Sequence, residues 1–99
     1  MKQKQQIRLN FRNDVFKRDN HKCLFCGKEA IDAHHITDRN EMPNGGYIKE
    51  NGISVCEKHH LMCEEYHISR TWVQGYHPAD LYEMIGSSYK KAYLRSKEV

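Results

Sequence analysis

The most informative absence from this 99-residue sequence is that of a long apolar run. Only 38% of the residues are hydrophobic, and no stretch is apolar enough for a membrane span or for the core of a signal peptide. We therefore expect a cytosolic protein without a membrane partner. The sequence also lacks internal repeats and low-complexity tracts, which excludes a repeat architecture and favours a single domain over residues 1–99.

The shortage of apolar residues also limits the core that the chain can build. A domain of this size buries a modest apolar core, so a structural metal would be a natural supplement. The sequence contains four cysteines, and we find no secretion signal before them. Cysteines in that context are metal ligands or free thiols more often than disulfide partners. We therefore expect metal binding rather than disulfide bonds.

The net charge of +3 conceals an uneven distribution of charge along the chain. Residues 1–28 carry eight Lys or Arg against two Asp, and residues 87–99 carry four against one Glu. Residues 29–86 carry only four basic residues against ten acidic ones. An acidic middle between basic ends is typical of a cation-binding centre flanked by surfaces that contact a polyanion. The same basic residues are equally compatible with tails that only keep the protein soluble.

Local sequence patterns predict an α+β fold made of short elements. Residues 1–9 are rich in Gln and Lys, and we predict a frayed arm there. Apolar residues at helical spacing predict a first helix over 11–19, and two β-prone stretches predict a pair of strands. The remaining predicted elements are strands over 30–36 and 52–55, a loop over 37–50, and helices over 57–69, 78–85 and 89–97.

Two pairs of potential metal ligands share one spacing. Cys23 and Cys26 are separated by two residues and followed by a glycine, which favours a tight turn that points both sulfurs at one ion. Cys56 and His59 repeat that spacing after 29 intervening residues. Zinc prefers thiolate and imidazole ligands, so the pairs predict a closed structural zinc site. On a helix Cys63 would lie near His59 and is an alternative fourth ligand; we favour His59 because its spacing mirrors the first pair.

A second set of candidate ligands combines histidines with a carboxylate. His34 and His35 are adjacent on a predicted strand, so their side chains point to opposite faces unless the strand bends. On the helix that follows Cys56, His60 and Glu64 lie one turn apart and share a face. His34, His60 and Glu64 are therefore candidate ligands of a second ion, with His35 nearby as an uncoordinated base.

The order of these residues resembles the HNH nuclease motif. The matching segments are Asp32-Ala33-His34-His35-Ile36, a Gly45-Gly46 loop, Asn51-Gly52-Ile53-Ser54-Val55-Cys56 and Lys58-His59-His60. The zinc-binding branch of that family is also similar in its lead-in to the first cysteine pair, here Val15-Phe16-Lys17-Arg18-Asp19. The resemblance implies a ββα-metal fold, in which a β-hairpin crossed by a helix grips one divalent ion. It implies a motif core over 12–68, flanked by an N-terminal helix and a C-terminal helical extension over 70–99.

The resemblance also implies a role for each matching residue. His35 corresponds to the general base that activates water, and Asn51 corresponds to the residue that holds the loop and orients that base. His34 and His60 correspond to ligands of the catalytic ion, and His60 is the final histidine of the motif. Glu64 stands where some relatives have a third histidine ligand, and a carboxylate there favours Mg²⁺ or Mn²⁺ over Ni²⁺ or Zn²⁺.

The activity that the resemblance implies is metal-dependent cleavage of DNA phosphodiester bonds, leaving 5′-phosphate and 3′-hydroxyl ends. The implied cofactors are a structural Zn²⁺ and a catalytic Mg²⁺ or Mn²⁺, without a small-molecule cofactor. DNA is the expected partner in the cytoplasm, or in the host cytoplasm for a phage-encoded protein, and a protein partner or a homodimer is compatible with so short a chain. One departure from the family pattern is His59, which stands where a cysteine is common; zinc tolerates this replacement.

Two other functions stay open at the level of the sequence. One is a non-catalytic, zinc-stabilised module that binds nucleic acid or acts as an adaptor. The other is a nuclease subunit that is active only with a partner. The triplet of His35, Asn51 and His60 argues against the first of these, because a binding module has no need for it.

Overall fold

The computed structural model describes residues 2–98, with side chains from Lys4 onward. Within that range the chain has an α+β fold in which four α-helices surround one two-stranded antiparallel sheet. The elements are α1 (Lys2–Arg18), β1 (Asp32–His35), β2 (Gly52–Val55), α2 (Glu57–Ser69), α3 (Pro78–Met84) and α4 (Tyr89–Ser96). None of the helices in the described part of the chain is long and apolar enough to span a membrane.

Most of the predicted elements are confirmed. The ends of both strands and of the last three helices differ from the prediction by at most two residues. The arm predicted over 1–9 is wrong, because α1 is already helical at Lys2; Met1 lies outside the described residues, as does Val99 at the end of the predicted extension. Gln, Lys and Arg have favourable helix propensities and no Gly or Pro interrupts this segment, so the helix extends beyond its apolar positions.

The two strands form a hairpin with a long connection. Asp32 pairs with Val55 and His35 pairs with Gly52 in the antiparallel ladder. The connection, predicted as a loop over 37–50, contains three short 3₁₀ turns over Arg39–Glu41, Pro43–Gly46 and Lys49–Asn51. A hydrogen bond from the N–H that follows β1, on Ile36, to the carbonyl of Asn51 (2.9 Å) closes it. The residues just after β1 and just before β2 are therefore held side by side.

The hairpin separates two apolar clusters. α1 packs on one face and buries a cluster formed by Phe11, Val15, Phe16, Ala30 and Ala33. The other helices and the connection bury a larger cluster on the opposite face: Ile36, Met42, Ile48, Ile53, Val55, Cys63, Leu81, Tyr82 and Ala92. His34 and His35 consequently face opposite sides of the sheet, the first near the His60 ring of α2 and the second against Phe11 of α1, as their adjacent positions predicted.

A buried ion pair fastens the end of α1 to β2. Arg18 makes two hydrogen bonds of 2.7 Å to the carboxylate of Asp19, which is 8% exposed. The same guanidinium donates to the carbonyl of Gly52 (2.7 Å), and Asp19 accepts a hydrogen bond from the N–H of Ser54 (3.0 Å). Bidentate pairs of this kind have a fixed geometry, so they hold α1 in one position against the hairpin.

Candidate metal centres

The two predicted zinc-ligand pairs meet where β2 ends and α2 begins. The first pair lies in a tight turn followed by Gly27, whose φ of 77° is a conformation that glycine adopts without strain. In that turn, the N–H of Leu24 donates a hydrogen bond to the carbonyl of Ser54 in β2 (3.1 Å). Cys56 directly follows β2 as the N-cap residue of α2, and His59 lies in the first turn of that helix. The strand and the turn therefore bring the two pairs face to face.

Each of the four residues Cys23, Cys26, Cys56 and His59 presents one ligand atom to a common centre. Cys26 Sγ lies 3.7 Å from Cys56 Sγ, and His59 Nδ1 lies 3.1 Å from Cys56 Sγ and 3.7 Å from Cys23 Sγ. With Zn–S bonds of about 2.3 Å, two sulfur atoms at the corners of a tetrahedron would be about 3.8 Å apart. The four side chains thus lie close enough together, and at suitable spacing, for a zinc site.

The environments of Cys56 and Cys63 agree with this ligand set. Hydrogen bonds from the backbone and the imidazole of His59 lower the pKa of Cys56 to about 6, which favours the thiolate that zinc binds. Cys63 instead lies in the larger apolar cluster at 1% exposure, and burial raises its pKa to about 12. The group that the structure brings together therefore contains His59, and Cys63 is a packed thiol.

A second group of ligand atoms lies where β1 faces α2. His34 Nδ1 is 3.2 Å from Glu64 Oε1, and His60 Nε2 is 3.3 Å from the same oxygen. The three residues offer ligand atoms that all lie within 4.8 Å of one another. β1 supplies His34, and successive turns of α2 supply the other two. The structure brings these predicted ligands together, and their role stays a prediction.

His34 is the residue that points most directly to an ion. Its side chain is 1% exposed, and neither ring nitrogen has a hydrogen-bond partner among the described residues, although Nδ1 lies 3.2 Å from Glu64 Oε1. A buried polar group without a partner costs about 1–3 kcal/mol and is therefore rare. Burial lowers the pKa of His34, and the contact with His34 lowers the pKa of Glu64 to about 2. Neutral imidazole beside ionised carboxylate is a donor set that fits a divalent cation.

His35 lines the same cavity from the α1 side of the hairpin. Its ring stacks on Phe11 at a centroid distance of 4.5 Å and meets Tyr47 edge-on at 4.7 Å. Its Nε2 atom is buried without a hydrogen-bond partner among the described residues. Burial lowers the pKa of His35 to about 4, so the ring is neutral at physiological pH. His35 and the three ligands of the second group share an open cavity of about 430 Å³, which we call the site cavity.

Asn51 holds the backbone that follows His35. It is fully buried, and its Oδ1 accepts hydrogen bonds from the N–H of Thr37 (3.0 Å) and the hydroxyl of Tyr82 (2.7 Å). Its Nδ2 donates to the carbonyls of Thr37 (3.1 Å) and Gly46 (3.2 Å). A Cβ on Gly46 would lie 2.6 Å from that Nδ2, so the close approach requires glycine. Asn51 thus fixes the loop two residues beyond His35.

Three further side chains of the site cavity were not selected from the sequence. Asp32 Oδ2 lies 3.6 Å from His60 Nδ1, and a carboxylate in that position commonly orients a ligating imidazole. His67 Nε2 donates to the carbonyl of His35 (2.9 Å), and Tyr47 contacts the His35 ring. The two-residue periodicity of a strand could have identified Asp32, which lies on the same face as the first ligand histidine. No local pattern indicates Tyr47, because the conformation of the connection brings it there.

Comparisons with known proteins add no independent assignment. No protein-family model, no curated protein and no solved structure matches this chain. The functional assignment therefore depends on the two ligand groups and on the site cavity.

Proposed function

We propose that this protein is an HNH-type DNA endonuclease with a structural zinc and a catalytic divalent ion. The observation that carries the proposal is a buried His34 whose ring nitrogens have no hydrogen-bond partner among the described residues, beside His60 and Glu64, with the uncoordinated His35 in the same cavity. The position of the hairpin against α2 supports a ββα-metal core within residues 12–68. The hydrogen bonds of Asn51 to the loop after His35 support the role that the resemblance implies for it.

The donor set of the second group favours particular ions. A carboxylate favours Mg²⁺ or Mn²⁺, and the two imidazoles are also compatible with Ni²⁺ or Zn²⁺. His34, His60 and Glu64 would hold the ion, and Asp32 would orient the ring of His60. When bound, such an ion neutralises negative charge on the scissile phosphate and on the departing 3′-oxygen.

His35 carries the proton transfer of the proposed reaction. It accepts a proton from water while the water oxygen forms a bond to phosphorus and the bond from phosphorus to the 3′-oxygen breaks. The 3′-oxygen then takes a proton from solvent, which leaves 3′-hydroxyl and 5′-phosphate ends. His35 is suited to this step because it lies outside the ligand group, so its lone pair is free to accept a proton. The contacts with Phe11 and Tyr47 hold its ring in place.

Cleavage of supercoiled plasmid tests the proposal. Zinc-loaded protein freed of other metals is given Mg²⁺, Mn²⁺, Ni²⁺ or Zn²⁺, with His35→Ala measured in parallel. We expect metal-dependent nicking or linearisation by the wild type and cleavage slower by at least about 100-fold in the variant, since a positioned base contributes that much. The zinc content and circular dichroism of the variant should match the wild type. The proportion of nicked to linear product separates one-strand from two-strand cutting.

His21→Asn is a matched control for the loss of a histidine. His21 is exposed in the turn after α1 with a φ of 60°, a conformation that Asn tolerates, so the variant should cleave at the wild-type rate. Substantial residual cleavage by His35→Ala would reject His35 as the base. No cleavage with any ion, with DNA binding retained, would indicate the adaptor module or the partner-dependent subunit instead.

A further inference from the structure

Two of the cavities that share lining residues with the site cavity differ in charge. One neighbour, of about 420 Å³, shares Arg8, Arg39 and Tyr47 with the site cavity and is also lined by Lys4. We call these four residues the basic groove. The other neighbour, of about 600 Å³, shares Asp38 and His67 with the site cavity, and we call it the acidic cavity. A substrate strand that leaves the site cavity toward either neighbour meets the charges that line it.

Two guanidinium groups converge in the basic groove. Arg8 and Arg39 both line this cavity beside Tyr47, and the guanidinium of Arg8 lies 5.9 Å from the centre of the Tyr47 ring. Burial raises the pKa of Tyr47, but the two arginines beside it outweigh that effect and lower the pKa overall. Both arginines are exposed, and none of the described residues that line this cavity is acidic. Paired guanidiniums of this kind suit a phosphate group.

Other arginines of α1 are already paired with carboxylates. Arg12 lies 3.4 Å from the carboxylate of Asp32, and Arg18 makes its bidentate pair with Asp19. Arg8 instead lies beside the ring of Tyr47, and no ion pair joins it to a carboxylate of the described residues, so its positive charge is available to an anion. The helical start of α1, which replaces the predicted arm, is what places Arg8 in this position.

The charged residues that line the acidic cavity are mostly carboxylates. Asp38, Glu41 and Glu83 line it, and Arg70, which also lines it, is paired with Glu41 at 2.8 Å. Repulsion between these carboxylates and a phosphate disfavours the backbone of a nucleic acid on this side.

We propose that the basic groove is a phosphate-binding subsite for the substrate strand, so that DNA leaves the site cavity across the N-terminal half of α1. The ligand is a phosphodiester flanking the scissile one, bound by Arg8 and Arg39 with Lys4 farther along the groove. This inference rests on the proposed function, because it takes DNA as the substrate. It adds the direction in which the strand runs and the residues that hold it.

The salt dependence of DNA binding tests the subsite. A fluorescein-labelled DNA duplex is titrated by anisotropy with zinc-loaded protein, without Mg²⁺ or Mn²⁺, so that binding is read without cleavage. Each lost phosphate contact lowers the slope of log affinity against log salt by about 0.7–0.9. For Arg8→Gln/Arg39→Gln we therefore expect a slope smaller by about 1.4–1.8 and an affinity about 30-fold weaker at 0.1 M salt.

Lys90→Gln/Lys91→Gln is the charge-matched control. It removes the same charge from exposed positions of α4 that line none of the three cavities described above. This pair should keep the wild-type slope, and both variants should keep the wild-type circular dichroism and zinc content. The subsite would be overturned if the arginine variant kept both the wild-type affinity and the wild-type slope of log affinity against log salt. It would also be overturned if only the lysine variant showed a smaller slope.

A separate cleavage assay distinguishes this inference from the proposed function. A wild-type protein that binds DNA through the groove but cuts none with any ion would reject a nuclease that is active on its own and would support the subsite. A wild-type protein that cuts DNA, with an arginine variant of unchanged slope, would reject the subsite and leave the nuclease standing. A wild-type protein that binds no DNA would overturn both.

Discussion

At the scale of single residues, the proposed cation site depends on the charge of Glu64. The two imidazoles beside it are neutral as ligands, so the carboxylate supplies the negative charge that attracts a divalent cation. Glu64→Gln keeps the size of the side chain and removes that charge. We expect the dissociation constant for Mn²⁺ to rise by at least about tenfold, measured by isothermal titration calorimetry.

The neighbouring Glu65 provides a control for this substitution. It is exposed, and its carboxylate contacts the hydroxyl of Ser69 one turn along α2 and is not part of the ligand group. Glu65→Gln should therefore bind Mn²⁺ like the wild type. Equal Mn²⁺ affinity in the Glu64 variant and the wild type would show that the second group does not hold the cation through Glu64.

Residue spacing named the candidate ligands of both groups, and the resemblance to the HNH motif then gave His34 and His35 separate roles. Cys56 and His59 repeat the spacing of the first cysteine pair, and helical periodicity places Glu64 one turn from His60, so the ligands could be found before the fold. The contact between Tyr47 and His35 was out of reach, because it depends on how the connection between the strands folds back. Such long-range contacts have no signature in a short sequence window.

At the scale of elements, the fit of α1 against the hairpin depends on Gly52. A Cβ at this position would lie 2.5 Å from Val15 Cγ2 and 2.7 Å from the ring of Phe11, and both side chains are buried. Gly52→Ala should lower the free energy of unfolding by about 1–3 kcal/mol, because a packed core accommodates an extra methyl group poorly. Urea denaturation of the zinc-saturated protein measures this loss. Cleavage should fall as well, since Phe11 supports the ring of His35.

Gly75→Ala separates this crowding from a general effect of losing a glycine. Nothing lies within 4 Å of a Cβ at Gly75, whose φ is 93°, so the variant bears only backbone strain. We expect it to cost about 1 kcal/mol. A Gly52→Ala variant no less stable than Gly75→Ala would contradict the close packing of α1 on β2.

The elements that the sequence predicted well are those with clear helix formers or clear boundary residues. Only Cys63 is buried in α2, and its helix-forming residues without Gly or Pro indicated that helix, whereas Pro78 and Gly86 mark the ends of the predicted α3. Residues 4–10 of α1 are all exposed, so this segment carries no periodic signal, and only helix propensity could have indicated it. The prediction of an arm over 1–9 failed for that reason, and the basic groove was missed with it.

At the scale of the whole molecule, the zinc-ligand group adds a second link between parts of the chain that also meet in the larger apolar cluster, which contains Val55 and Cys63 and is contacted by Leu24. It links the turn after α1, the end of β2 and the first turn of α2, while the apolar residues form two separate clusters on the faces of the hairpin. The α+β class followed from local patterns, but the division of the core does not, because it depends on which face each helix covers. A protein with so divided a core should depend on its metal for folding.

A zinc ion bound by the first group would also set the rotation of α2 and so couple the two ligand groups. His59 and His60 are adjacent, so an ion that held His59 would direct His60 and Glu64 toward His34. In His59→Ala we expect zinc loss by mass spectrometry, a melting temperature lower by about 10 °C or more, and weakened Mn²⁺ binding. Cys63→Ala is the control: it should keep its zinc and its Mn²⁺ affinity and lose about 1 kcal/mol from a small cavity. If Cys63→Ala lost zinc and His59→Ala kept it, Cys63 would be the fourth ligand and His59 would not. The proposed coupling between the two ligand groups through His59 and His60 would then be wrong.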